Sequence, residues 1–464
     1  MTILHKYIFV LLLSIAALTG CGTNSDNRAN ETPPQTPAAP SAPAAPQPAD
    51  GGNEGNGGQA GNGADSGNGG QAGNDPANGT DQSPPPQTPA PTSPPSKPPA
   101  ADPVSKLMSQ MTLRDKIGQM VMVGIEGTEV GKITQQMLQQ YKVGGIIVYA
   151  NNLTSVSQTR ALLNSLKQSS KEAGILPPLL LGTDQEGGRV SRFPAGIDKF
   201  PASRVIGNTN NADYANKVGQ VMGSTMKAFG LNMDFAPDLD VNTNPNNPVI
   251  GDRAFGTTPQ RVIKMGISEM KGIGKAGVIP VVKHFPGHGD TSVDSHKGLP
   301  VVTHGLDRLR KVEFAPFQEA VQQGADAVMV AHLLMSQLDP NVPSSMSKVI
   351  IQKYLRKELG FEGVVITDDM TMGAIGKNYT LDGAVIRSVL AGSDIILVGH
   401  EPEKQRLVLQ SLYKAAQNGK IPADHINASV RRILELKQKY KLTNNPVPKV
   451  NSAKLNTSIR QTLQ

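Results

Sequence analysis

Between Lys283 and His296 the chain reads KHFPGHGDTSVDSH, which crowds one lysine, three histidines and two aspartates into a short stretch broken by proline and glycine. His284 and His288 have the i, i+4 spacing that suits zinc on a helical face, but Pro286 and Gly287 between them oppose a helix. No HExxH and no cysteine partner supports a metal, so no metal and no cofactor is expected. Lys283 ends an apolar run and has two readings: a Schiff-base amine as in barrel aldolases, or a salt-bridged or substrate-binding ammonium. Asp294 and His296 stand two apart in a loop-like stretch, close enough for the carboxylate to orient the imidazole and raise its basicity. The competing reading is a solvated loop histidine.

Other carboxylates fall at the ends of apolar runs: Asp184, Asp238, and the pair Asp368 and Asp369 in VVITDDM. A lone Asp at a strand end often caps the following helix. One that emerges directly from a buried strand is held rigidly and partly desolvated, as a carboxylate nucleophile should be. Side chains alternate along a strand, so spacing leaves open which of Asp368 and Asp369 faces a site.

These residues need elements to hold them. Eight apolar runs read as strands: Ile117 to Ile125, Val143 to Tyr149, Pro178 to Asp184, Leu231 to Asp238, Val278 to His284, Ala325 to His332, Gly363 to Asp369 and Ser393 to His400. Helical spacing recurs between them in ITQQMLQQY (from Ile133), DRLRKVEFAPFQEAVQQG (Asp307 to Gly324) and NASVRRILELKQKY (from Asn427). Eight β-α units predict an α/β fold of the (β/α)8 TIM-barrel type in one catalytic domain, residues 103–442, rather than an open doubly wound sheet. Six of the eight runs end in ionisable residues, which would gather at the C-terminal rim where barrel chemistry sits. Residues 443–464 read as a C-terminal tail.

The first quarter cannot build a core. Lys6 precedes an apolar run from Tyr7 to Leu18, too short for a comfortable bilayer span and typical of an export signal. Leu18-Thr19-Gly20-Cys21 resembles the bacterial lipoprotein cleavage site, which implies a signal peptide over 1–20 and lipidation of Cys21. Residues 21–102 then form a disordered tether, first Gly/Asn-rich and then Pro-rich. Cys21 is the sole cysteine, so neither an intramolecular disulfide nor a thiol nucleophile is available to the barrel. The net charge of +7 is modest, and with no Trp and 4% aromatics the chain lacks nucleic-acid stacking platforms.

Taken in order, TDQEGGRVSRF (Thr183 to Phe193), MDFAPDLDV (Met233 to Val241), GDRAFG (Gly251 to Gly256), KHFPGHG…DSH and ITDDM (Ile366 to Met370) resemble the β-N-acetylhexosaminidases of glycoside hydrolase family 3, in the N-acetylglucosaminidase branch. The resemblance covers the region from Val104 to about Leu442. It implies a retaining glycosidase with Asp368 as nucleophile and, in place of a second carboxylate, His296 oriented by Asp294 on a mobile loop as acid/base. An imidazole suits this because its ordinary pKa of ~6.5 lets it both give and take a proton near neutrality. The resemblance also implies that Asp184, Arg192, Arg253, Lys283 and His284 hold the sugar, which removes the aldolase reading of Lys283. Ala254 stands where relatives often carry Ser. His332 is a further candidate to line the site, whereas His304 and His400 are expected to be structural or exposed, and His288 has no assigned role.

Larger exported relatives add a second α/β domain after the barrel, and none is expected here. The overall expectation is a lipoprotein anchored to the extracytoplasmic face of the cell membrane through Cys21. It would release terminal β-linked N-acetylglucosamine from peptidoglycan fragments or chitooligosaccharides. The alternatives are a β-N-acetylglucosaminide phosphorylase and a non-catalytic wall-binding lipoprotein. Carbohydrate and membrane are the expected partners, and nucleic acid is not.

Overall fold

A computed structural model of the chain describes residues 102–464. The signal segment, Cys21 and nearly all of the tether lie outside the described residues. No helix among the described residues is long and apolar enough to cross a membrane.

Eight short parallel strands form one sheet: β1 (Val121–Gly124), β2 (Gly145–Ile147), β3 (Leu180–Thr183), β4 (Met233–Asp234), β5 (Ile279–Phe285), β6 (Ala327–Val330), β7 (Val364–Thr367) and β8 (Ile396–Val398). Each pairs with its sequence neighbour, and β8 pairs with β1. The last seam, between β7 and β8, is bridged at Ile366 and Ile395. There the Thr367 N–H donates to the Ile395 carbonyl at 3.0 Å and the Asp394 N–H to that of Val365 at 2.8 Å. The sheet is thereby a nearly closed (β/α)8 barrel. Its strands are continuous apolar runs because both faces are covered, by the barrel interior and by the helices outside.

All eight expected runs contain a strand. The first expected run begins too early, since Leu113–Gln119 is a helix opened by a reciprocal cap between Thr112 and Asp115 and the strand starts at Val121. The stretch Asp307 to Gly324 is two helices, Leu306–Lys311 and Ala315–Gln322, because Pro316 suits a helix's first turn and interrupts an interior. Residues 443–464 are not a plain tail: Ser452–Leu463 is a helix with Ile459 fully buried and Arg460 paired to Asp198 at 2.8 Å.

Candidate active site

The C-terminal ends of the strands surround a cavity of about 460 Å3, lined among others by Asp184, Glu186, Arg192, Arg253, Lys283, His284, His296 and Asp368. At its floor is a chain of ion pairs. Lys283 Nζ lies 2.7 Å from both Asp184 Oδ1 and Glu186 Oε1, and Glu186 is gripped from its other side by Arg253, Nε and Nη2 each donating at 2.8 Å. Burial alone would raise the Glu186 carboxyl, but the Arg253 and Lys283 charges hold it far below the carboxylate range. Lys283 and His284, though adjacent, both line the cavity; β5 is irregular here, its register against β6 shifting between Val282 and Phe285.

His284 is buried against Asp240, its Nδ1–H donating to Oδ2 at 2.7 Å. Its Nε2 faces Arg253 Nη2 at 3.3 Å and, because a guanidinium can only donate, must offer a lone pair. The ring is therefore neutral, and burial and the Arg253 charge push its pKa down to about 4. Asp238, Asp240 and His284 are the one group among the described residues close enough together to hold a metal ion. Within this group Asp240 is hydrogen-bonded to His284, and Arg253 Nη2 lies 3.7 Å from Asp238 Oδ2, a buried oxygen without a hydrogen-bond partner among the described residues.

Asp368 and Asp369 both reach the cavity but are engaged differently. Asp369 Oδ1 accepts from the Thr371 N–H, the Thr371 hydroxyl and the Gly399 N–H at 2.8–3.1 Å. Asp368 accepts one hydrogen bond among the described residues, from the Asp369 N–H to Oδ1 at 2.8 Å, and its side chain lines the cavity. Burial raises its carboxyl, yet His332, His284 and that N–H outweigh the effect and leave it below the ordinary value. His332 does not line the cavity. It is fully buried beneath it, with Nε2 donating to the Asp369 carbonyl at 3.0 Å and Nδ1 facing Ser345 Oγ at 2.7 Å.

Asp294 and His296 approach from a loop. His296 Nδ1 donates to Asp294 Oδ1 at 3.0 Å, which leaves Nε2 as the outward nitrogen, and the His296 side chain is 67% exposed. The loop is seated on the segment after β7: Gly373 N–H donates to the His296 carbonyl at 3.2 Å and Ala374 N–H to that of Ser295 at 3.0 Å. A Cβ at Gly373 would lie 2.4 Å from the His296 carbonyl oxygen, so only glycine permits the approach. His288 joins loop to barrel. Its Nδ1 donates to Thr291 Oγ1 at 2.7 Å, its Nε2 faces Ser295 Oγ at 3.2 Å, and burial drives its pKa to about 3, so it stays neutral.

Arg192 lines the cavity, its buried Nε without a partner among the described residues. Its backbone N–H and that of Phe193 converge on Gln185 Oε1 at 2.8 and 3.2 Å. Gly187 and Gly188, at φ 88° and 53°, turn the chain where any Cβ would strike Pro201 or Ala202. At the rim Tyr149 stacks on His400 with centroids 4.7 Å apart, so His400 is exposed and also lines the cavity. Glu186 is the central residue that sequence reasoning missed. It lies inside TDQEGGRV, but its partners are 67 and more residues away along the chain.

The arrangement can bind a neutral polyol with buried charges and present an ionised carboxylate opposite an imidazole. The profile of the glycosyl hydrolase family 3 N-terminal domain matches residues 112–436. Beta-hexosaminidase A of Pseudoalteromonas piscicida is 34% identical over 348 residues, covering 70% of this chain and 58% of that protein. A beta-hexosaminidase of Methylobacillus flagellatus is 32% identical over 298 residues, covering 63% of this chain and 83% of that protein. Among solved structures, a glycoside hydrolase family 3 beta-N-acetylglucosaminidase from Paenibacillus sp. superposes with a TM-score of 0.72 at 39% identity, covering 76% of this chain and 68% of that one.

Proposed function

Because the chain belongs to glycoside hydrolase family 3, we propose that it is a retaining β-N-acetylhexosaminidase acting on terminal β-linked N-acetylglucosamine of peptidoglycan fragments or chitooligosaccharides. The observation that carries the reading is Asp368: an ionised carboxylate with spare lone pairs at a strand end, across the cavity from a loop bearing an Asp-oriented histidine. In the first step an Asp368 oxygen attacks the anomeric carbon while protonated His296 gives its Nε2 proton to the departing glycosidic oxygen. In the second, neutral His296 takes a proton from water as that water attacks the same carbon and frees Asp368. This replaces the usual pair of carboxylates with a carboxylate and an imidazole.

Asp184, with one oxygen on Lys283, suits sugar hydroxyls, and Arg192, which lines the cavity, suits a hydroxyl or N-acetyl oxygen. A 5-fluoro N-acetylglucosaminyl fluoride trap is expected to label Asp368, and label on any other residue overturns the assignment. Running an aryl N-acetylglucosaminide with and without phosphate tests hydrolysis against phosphorolysis: free sugar at an unchanged rate is expected, and a sugar phosphate would reassign the reaction. The Cys21 anchor is likewise our proposal. A Cys21→Ser chain expressed in a bacterium should leave the membrane fraction, and retention there would refute lipidation at that residue.

A further inference from the structure

The segment that carries Asp294 and His296 leaves the barrel after β5 and returns at the helix Leu306–Lys311, and its two ends meet. Asp290 Oδ2 and His304 Nε2 are hydrogen-bonded to each other across fourteen residues. The other Asp290 oxygen accepts from the Thr243 hydroxyl at 2.8 Å, and Asn244 Nδ2 donates to the Thr291 carbonyl at 3.0 Å, so the root is tied to the segment after β4 as well. Between root and tip, the ring of His304 is the one histidine of the return limb, and the tip itself rests on Gly373 and Ala374. The reacting imidazole is thus held at its tip by the Gly373 and Ala374 hydrogen bonds and the Ser295–His288 contact. The return limb is paired at Val301–Val302 with Leu334–Met335, and the root is closed by the Asp290–His304 pair together with the Thr243 and Asn244 contacts.

We propose that Asp290 and His304 are positioning residues: a latch that closes the root of the loop and thereby sets where His296 stands over the cavity. The proposal rests on the reading of His296 as acid/base. Neither latch side chain lines the cavity, so neither touches substrate, and the latch acts through His296 alone. Opening it leaves Asp368 and the sugar-holding charges in place while the proton donor loses its position, and a misplacement of about 1 Å costs roughly 100-fold in a positioned step.

That selectivity is the test. Chitobiose has a poor leaving group that needs the proton, whereas a 2,4-dinitrophenyl N-acetylglucosaminide has one that does not. For Asp290→Asn and for His304→Gln, kcat/KM on chitobiose should fall roughly 10- to 100-fold, with less than about a threefold change on the dinitrophenyl substrate. The double variant should lose no more than the worse single one, because the pair acts as a unit. Thr243→Val, which removes only the hydroxyl bond to Asp290, should show the same selectivity at smaller size and serves if either first variant fails to fold. A fall on both substrates alike, or on neither, overturns the latch. His296→Ala reports the underlying reading separately: it must show the chitobiose-selective loss, and if it does not, the acid/base assignment falls and the latch falls with it.

Discussion

The cavity floor and the His296 loop are built on opposite terms. On the floor, Lys283 is about 1% exposed and Glu186 about 2%, and each charge is answered by two partners. On the loop, His296 is 67% exposed and has one partner, Asp294. A group that binds a sugar through fixed hydrogen bonds gains from burial, because its geometry is locked before the ligand arrives. A group that must exchange protons with leaving group and water twice per turnover gains from access. The floor therefore pairs rigidity with compensated charge, and the loop pairs exposure with a few positioning contacts.

The sharpest break of that comparison is at Asp368, which belongs to the floor by position and to the reaction by role. Asp368→Asn should lower kcat on an aryl N-acetylglucosaminide by roughly 10,000-fold or more, with little change in melting temperature. Near-normal turnover would remove it as nucleophile. Glu186→Gln attacks the floor itself: Arg253 and Lys283 would be left buried with one carboxylate charge fewer. Breaking a buried pair costs about 3–5 kcal/mol, so thermal denaturation should shift downward and KM should rise. An unchanged melting temperature would show that the floor is not charge-compensated as described. His296→Ala should do the reverse, costing about 100- to 10,000-fold in turnover of substrates that need the proton while leaving stability intact, because an exposed side chain buries little. A large loss of stability would contradict the division.

The floor's architecture was largely legible in the sequence and its wiring was not. Parallel strands buried on both faces are uninterrupted apolar runs, so Val364 to Thr367 and Ile396 to Val398 announce themselves, and polar residues after such runs mark the rim. Asp184, Lys283, His284 and Asp368 were found by that rule, and all four line the cavity. Glu186 sits three residues beyond its strand, and the two cations that pair with it are distant in sequence. His288 stood in the most conspicuous motif and still carried no role, since only the fold reveals that its partners are Thr291 and Ser295. The helix at Leu113 had a readable signal, the Thr112 and Asp115 cap, which the apolar run beginning at Ile117 obscured.

The smallest expected effect tests why the floor can be buried at all. Glu269, on the helix Pro259–Lys275, is as buried as Glu186 but has Oε2 without a partner, and no cation answers it among the described residues. Burial, with the Glu186 charge, pushes its pKa up to about 8, where Arg253 and Lys283 push Glu186 the other way. The signs follow from proton binding. Between the ordinary glutamate value and about 8 the folded chain holds a proton at Glu269 that the unfolded chain has released, so folding stability falls as pH rises through that window. Its contribution is complete below the ordinary value and lost above about 8. Glu269→Gln, which cannot ionise, should therefore have a melting temperature that declines less than the parent's between pH 5 and pH 8, by a few degrees. Glu186 should show the opposite slope, its contribution present above the ordinary glutamate value and lost only in strong acid. A parent and Glu269→Gln pair whose melting curves run parallel across pH 5 to 8 would mean that Glu269 has a compensating cation or water, and that burial of the floor needs another explanation than its ion pairs.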